Sequence, residues 1–197
     1  MRFRHALFLL PLLTLCGCPF APRPFCETCY YTVEPPPPAA RTAAPADLVV
    51  GVRPFEAASR YGERILYRPG GAEVCFHDCG RWAEPPAELL TAALRRALDA
   101  AHIARAIVDA RAVPGADLIV EGCLTRFDEV HGPDGWAAEC EIELMVRRTG
   151  EDKPVAVRRI AARHAAAEPT TPAFVAAMTA AVAEVLATAT DIVAGAL

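Results

Sequence analysis

Arg60–Leu98, RYGERILYR followed by PGGAEVCFHDC and GRWAEPPAELLTAALRRAL, is the stretch whose reading decides the fold. Arg64-Ile65-Leu66-Tyr67-Arg68 has the β-branched and aromatic content of a strand, and Pro69-Gly70-Gly71 turns the chain into a second extended piece. A helix is predicted from Glu84 to Ala101. Pro85 and Pro86 fall in its first turn, where a missing backbone N–H leaves no hydrogen bond unmade. Leu90, Leu94, Ala97, Leu98 and Ala101 recur on one side of that helix and mark the face that packs on a sheet.

Outward from this unit, Leu48–Val52 is a short apolar run closed by Pro54, as expected of a buried strand. Arg105–Asp109 is a brief strand. Asp117–Val130 and Trp136–Arg148 flank His131-Gly132-Pro133-Asp134-Gly135 and read as a long hairpin. In its second arm Trp136, Ala138, Cys140, Ile142, Leu144 and Val146 alternate with Glu139, Glu141 and Glu143, so one face is dry and the other wet. Val155–Ala162 adds a strand. Thr171 is expected to cap a last helix with Pro172 at its first position, along which Phe174, Met178, Val182, Val185, Ala189 and Ile192 recur at helical spacing. Glu184, Asp191 and the weight of alanine in that segment argue against a membrane span. The predicted class is α+β: a largely antiparallel mixed sheet with two helices packed on one side.

The N-terminus carries an address. Arg2, Arg4 and His5 precede the apolar run ALFLLPLLTL, a secretory pattern too short to cross a bilayer. Leu15-Cys16-Gly17-Cys18 follows and resembles a bacterial lipobox, which makes residues 1–17 the leader and Cys18 the lipidated residue. Two or more acyl chains hold a protein on a membrane stably. Pro19 stands where an aspartate would signal inner-membrane retention, so the expected place is the outer membrane, facing the periplasm. Eight prolines between Pro19 and Ala46 make residues 18–46 a tether, interrupted by a short strand near 29–33 expected to dock on the sheet edge. Residues 47–197 are then a single domain.

The net charge is −4 and becomes −6 once Arg2 and Arg4 leave with the leader. An acidic balance with no Lys/Arg run excludes nucleic acid as the expected partner. No nucleophile elbow, P-loop, dinucleotide fingerprint or zinc-protease motif is present, so no enzyme and no cofactor is expected. Glu139, Glu141 and Glu143, two residues apart on a half-buried strand, read as a solvated face. His102, His131 and His164 are scattered singly.

Besides the lipidated Cys18, six cysteines remain in the exported chain. Local bridges Cys26–Cys29 and Cys75–Cys79 are open possibilities, and so is a bridge between the two pairs. Alternation puts Cys123 outward and Cys140 inward unless a bulge intervenes. The two short-spaced pairs with His77 have the residue types of a zinc site, but their irregular separation and an oxidising compartment favour disulfides, and no metal is expected.

Tyr30-Tyr31-Thr32-Val33, Val52-Arg53-Pro54, Arg60-Tyr61-Gly62-Glu63-Arg64-Ile65 and Arg81-Trp82-Ala83-Glu84-Pro85, in that order after a lipobox, resemble the ABC-type transport auxiliary lipoproteins of the PqiC type. The resemblance implies a non-catalytic envelope component whose partners are an MCE-domain protein, an ABC permease and an ATPase that move lipid between the inner and outer membranes. Tyr61, Arg64, Arg81 and Trp82 are the expected partner-binding residues, because aromatics with arginine are common interface anchors. A structural or assembly lipoprotein of the outer membrane, or a lipid- or metal-binding periplasmic module, are the alternatives.

Overall fold

The computed structural model describes residues 26–197; the leader, the lipobox and Cys18 lie outside the described residues. In chain order the elements are β1 (Cys29–Tyr31), β2 (Ala46–Val52), β3 (Glu56–Ala57), β4 (Arg64–Arg68), β5 (Cys75–Trp82), α1 (Pro86–Ala100), β6 (Ala104–Asp109), β7 (Leu118–Gly132), β8 (Gly135–Arg148), β9 (Ala156–Ala165) and α2 (Thr171–Ala194). The class is α+β, with both helices set against one large mixed sheet.

Strand β7 is the spine of that sheet. On one side β8 and then β9 continue it as long antiparallel ladders. On its other side β2, β3 and β4 pair with it in parallel at successive heights, through Val50–Leu118, Glu56–Cys123 and Tyr67–Glu129. Beyond β2 lies parallel β6; beyond β4 lie antiparallel β5 and, at the edge, parallel β1. β3 has only two residues, too few for a periodicity to reveal it from sequence.

The alternation read along β8 is physical: Ala138, Cys140, Ile142, Leu144 and Val146 are fully buried. Along β7 the parity changes. Leu124 faces Ile142 while Arg126 faces Glu141, so Thr125 is an inserted residue. The inward set therefore shifts from Leu118, Val120 and Leu124 to Phe127 and Glu129. Cys123 sits opposite Glu143 and Cys140 opposite Phe127, on different rungs, which rules them out as disulfide partners.

Helix α1 buries Leu90, Leu94, Ala97 and Leu98, with Pro85 at its N-cap and Pro86 in its first turn. Thr170, one residue earlier than expected, caps α2 by accepting the Ala173 N–H. By length and composition α2 resembles a membrane span, yet half of its most apolar window is buried against β8, β9 and α1, and Phe174, Met178, Val185 and Ala189 are in the core. The proline-rich segment is more than a spacer. Val33 joins the core, and Pro35–Pro38 run over α1 and α2, lining a groove of about 450 Å³ with Ala93, Ala97 and Leu186. The chain is then pinned where Arg41 N–H donates to Ala101 O and its guanidinium meets Asp191.

Candidate interaction surface at the β4–β5 bulge

Arg64 pairs with Arg81 and Leu66 with Phe76, so His77-Asp78-Cys79-Gly80 bulges out opposite Ile65. Three carbonyls in this bulge turn toward Arg81, whose guanidinium donates to the oxygens of His77 (3.0 Å), Asp78 (3.0 Å) and Gly80 (2.9 Å). One planar cation thus satisfies acceptors that the strand ladder cannot reach. The bulge is also clamped covalently, by a Cys26–Cys79 disulfide to the segment leading into β1. Of the pairings left open by the sequence this is one between the two cysteine pairs; Cys29 and Cys75 are free, so neither local bridge forms.

Two of the four residues expected to bind a partner are interior, and that expectation is corrected for them. Trp82 is 1% exposed and packs edge-on to Phe127 at 5.1 Å and beside Phe174 at 6.0 Å. Tyr61 is 4% exposed, and its hydroxyl lies 3.1 Å from Thr125 O and 2.9 Å from Asp128 Oδ1. Burial raises its phenol pKa. Asp128 is itself fully buried and is paired with Arg68. The hydroxyl therefore ties the Thr125 bulge to a buried ion pair, and neither ring offers surface to a partner.

Arg64 and Arg81 do line the surface. With Ser59, Arg60, Gly62, Glu63 and Phe76 they surround a cleft of about 350 Å³. Arg64 lies over the Phe76 ring at 4.8 Å and Arg60 over the Tyr61 ring at 4.7 Å, which orients both cations. Tyr30, 65% exposed, is the β1 register partner of Arg81 and extends the patch to the sheet edge. Sequence reading missed Phe76 beside Arg64 because the β5 bulge sets that register, and Tyr30 beside Arg81 because it follows from the pairing of β1 with a strand distant in sequence.

Other polar groups are accounted for by structure. His77 and His131 converge on the buried Glu129 carboxylate, and His131 stacks on Trp136 at 4.4 Å. Glu139, Glu141 and Glu143 form a ladder on the outer face with Arg126, Arg159 and Arg163. Cys140 is sealed in the core, and burial, aided by the Glu141 charge, pushes its thiol up to about 12. Among the described residues no group of three or more His, Cys, Asp or Glu side chains has the geometry of a metal site.

A family model described as the ABC-type transport auxiliary lipoprotein component matches residues 31–190. The chain belongs to that family. Stretches that carried the resemblance have structural roles in this auxiliary lipoprotein: Tyr30 and Tyr31 belong to β1, the Tyr61 hydroxyl reaches the bulge of β7, Arg81 holds the bulge of β5, and Trp82 lies in the core. Among solved structures it is similar to protein XCC0632 from Xanthomonas campestris, at 20% identity and a TM-score of 0.77 over 85% of this chain and 97% of that one. It is also similar to the hypothetical protein CT253 from Chlamydia trachomatis, at 8% identity and a TM-score of 0.54 over 76% of this chain and 97% of the other. These likenesses establish the fold. None of the curated proteins matches. Membership of a transport-auxiliary lipoprotein family points to a membrane-anchored place in the cell envelope and to association with an ABC transporter system.

Proposed function

We propose that this auxiliary lipoprotein is a non-catalytic, periplasm-facing subunit of an MCE- and ABC-type lipid transport system, which links inner and outer membranes. The family match across residues 31–190 carries the reading. The lipobox supports it: residues 1–17 are the leader, Cys18 takes the acyl chains, and the outer membrane holds them. Residues 18–46 leave the anchor and lie on the folded domain of residues 47–197 in their second half. The partner is an MCE-domain protein with its permease and ATPase, and the protein works without a cofactor. Arg64 and Arg81 remain available for contact, whereas Tyr61 and Trp82 act by holding the surface in shape.

The test is a crosslinked pull-down of the full-length lipidated protein from native envelopes, with Cys18→Ala as control, read by mass spectrometry. Enrichment of an MCE-domain protein with a permease and ATPase is the expected result. Enrichment of a β-barrel protein, or of this chain alone, would overturn the reading in favour of an assembly or structural lipoprotein.

A further inference from the structure

In this acidic protein most arginines have a carboxylate partner. Among the described residues only Arg60, Arg64, Arg81, Arg96, Arg148 and Arg158 have no Asp or Glu partner, Arg148 donating instead to the main-chain oxygens of Ala196 and Leu197, and residues 1–25 contain no Asp or Glu to supply one. Three of those six line the single cleft at the β4–β5 bulge. Arg64 and Arg81 are direct cross-strand partners, a placement in which like charges repel and destabilise the pair unless an anion lies between them. Glu63 is the cleft's one carboxylate and pairs with none of them. The cations are held ready: Arg60 over Tyr61, Arg64 over Phe76, Arg81 by its three carbonyls.

We propose that this cleft binds the phosphate diester of an anionic glycerophospholipid headgroup, on the membrane that holds the anchor. Its size, about 350 Å³, suits a headgroup rather than a helix or strand of a partner. Its position favours the same source. Cys26 is bonded to Cys79, two residues before Arg81, and lies eight residues after Cys18, a span of at most ~27 Å. The cleft therefore stays within reach of the lipid surface, where each arginine adds to the hold of an acyl anchor. Exposed Tyr30 beside Arg81 supplies the amphipathic ring favoured at such an interface. The domain is then oriented on the membrane by two points, the anchor and the cleft. This inference rests on the lipid-anchored part of the function proposed above and is independent of the transport partner.

The test is native mass spectrometry of the full-length lipidated protein released from nonionic detergent. Separate titrations use dioleoyl phosphatidylglycerol, dioleoyl phosphatidylcholine, inorganic phosphate and a hexaglutamate peptide. Phosphatidylglycerol is expected to saturate one site at least ~10-fold more tightly than phosphatidylcholine. Arg60→Gln and Arg64→Gln should each weaken it about fivefold, while Arg158→Gln, an unpaired arginine on β9, leaves it unchanged. Arg81 is left intact because its loss would unravel the bulge. Equal phosphatidylglycerol binding by wild type and the Arg60→Gln/Arg64→Gln double variant would overturn the proposal. So would tighter binding of hexaglutamate, which assigns the cleft to an acidic protein segment, or binding of phosphate alone as tight as the lipid. The intact mass reads lipidation at Cys18 in the same spectrum, so a failed anchor is distinguished from a failed cleft.

Discussion

Tyr61→Phe separates a structural tyrosine from a partner-binding one. The ring stays packed and only the hydroxyl leaves, which removes the proton now shared between Thr125 O and Asp128 Oδ1. Asp128 is fully buried, so water cannot replace the lost donor, although Arg68 remains paired with it. A hydrogen bond to a buried charged acceptor contributes ~1.5–3 kcal/mol, and with Arg68 retained the expected loss is about 2 kcal/mol. Urea unfolding followed by far-UV circular dichroism should show this as a midpoint lower by about 1 M at unchanged slope. In an Asp128→Asn background the same substitution should cost about 1 kcal/mol less, since one of its two acceptors has lost its charge. Capture of the transport partner by the folded variant should equal wild type. An unchanged midpoint together with reduced capture would refute the argument and return Tyr61 to the interface.

Three further outcomes follow from the packing. Cys79→Ala should destabilise by up to ~4 kcal/mol, because the bridge closes a 53-residue separation in the unfolded chain; dithiothreitol should lower the melting temperature of wild type and leave that of the variant unchanged. Gly122→Ala should cost about 1–3 kcal/mol, since its methyl would lie 2.3 Å from the Phe55 ring while the Phe55 N–H is tied to Thr91 Oγ1; Phe55→Leu in the same chain should recover part of the loss in chemical denaturation. Stability should fall as pH rises above about 9. There the unfolded chain gives up the Cys140 proton that the folded state keeps up to about 12, so the unfolded state binds fewer protons and the slope is negative, about 1.4 kcal/mol per pH unit. Raised Tyr61 adds a loss of the same sign above pH 10, and Cys140→Ala should flatten the curve between pH 9 and 10 while leaving that later fall.

What could be read from the sequence was whatever repeats along the chain. The period of two from Ala138 to Val146 and the helical spacing of Leu90, Leu94 and Leu98 are consequences of burying one face of an element, so they located the β8 ladder and α1 without any knowledge of neighbours. Irregular features left no such trace. Thr125 inserts into β7 and reverses which residues face the core, yet its own side chain only bonds Glu141, and nothing about a threonine in a strand announces a bulge. The four residues His77–Gly80 fold out of β5 because Arg81 satisfies their carbonyls, an arrangement set by one residue's reach rather than by a pattern.

The same limit explains why two of the four candidate surface residues are interior. Tyr61, Arg64, Arg81 and Trp82 combine two aromatic and two arginine side chains, and residue type cannot tell a tyrosine that anchors a partner from one whose hydroxyl caps a buried aspartate. Exposure was decided elsewhere, by Phe127 and Phe174 arriving from β7 and α2 to cover Trp82, and by Asp128 drawing Tyr61 inward. The arginines escaped that burial because a guanidinium stays at the surface unless a carboxylate accompanies it inward, as Asp128 does for Arg68. Arg60 and Arg64 have no such companion. Their charge is therefore left at the mouth of the cleft, where it faces whatever anion the envelope presents.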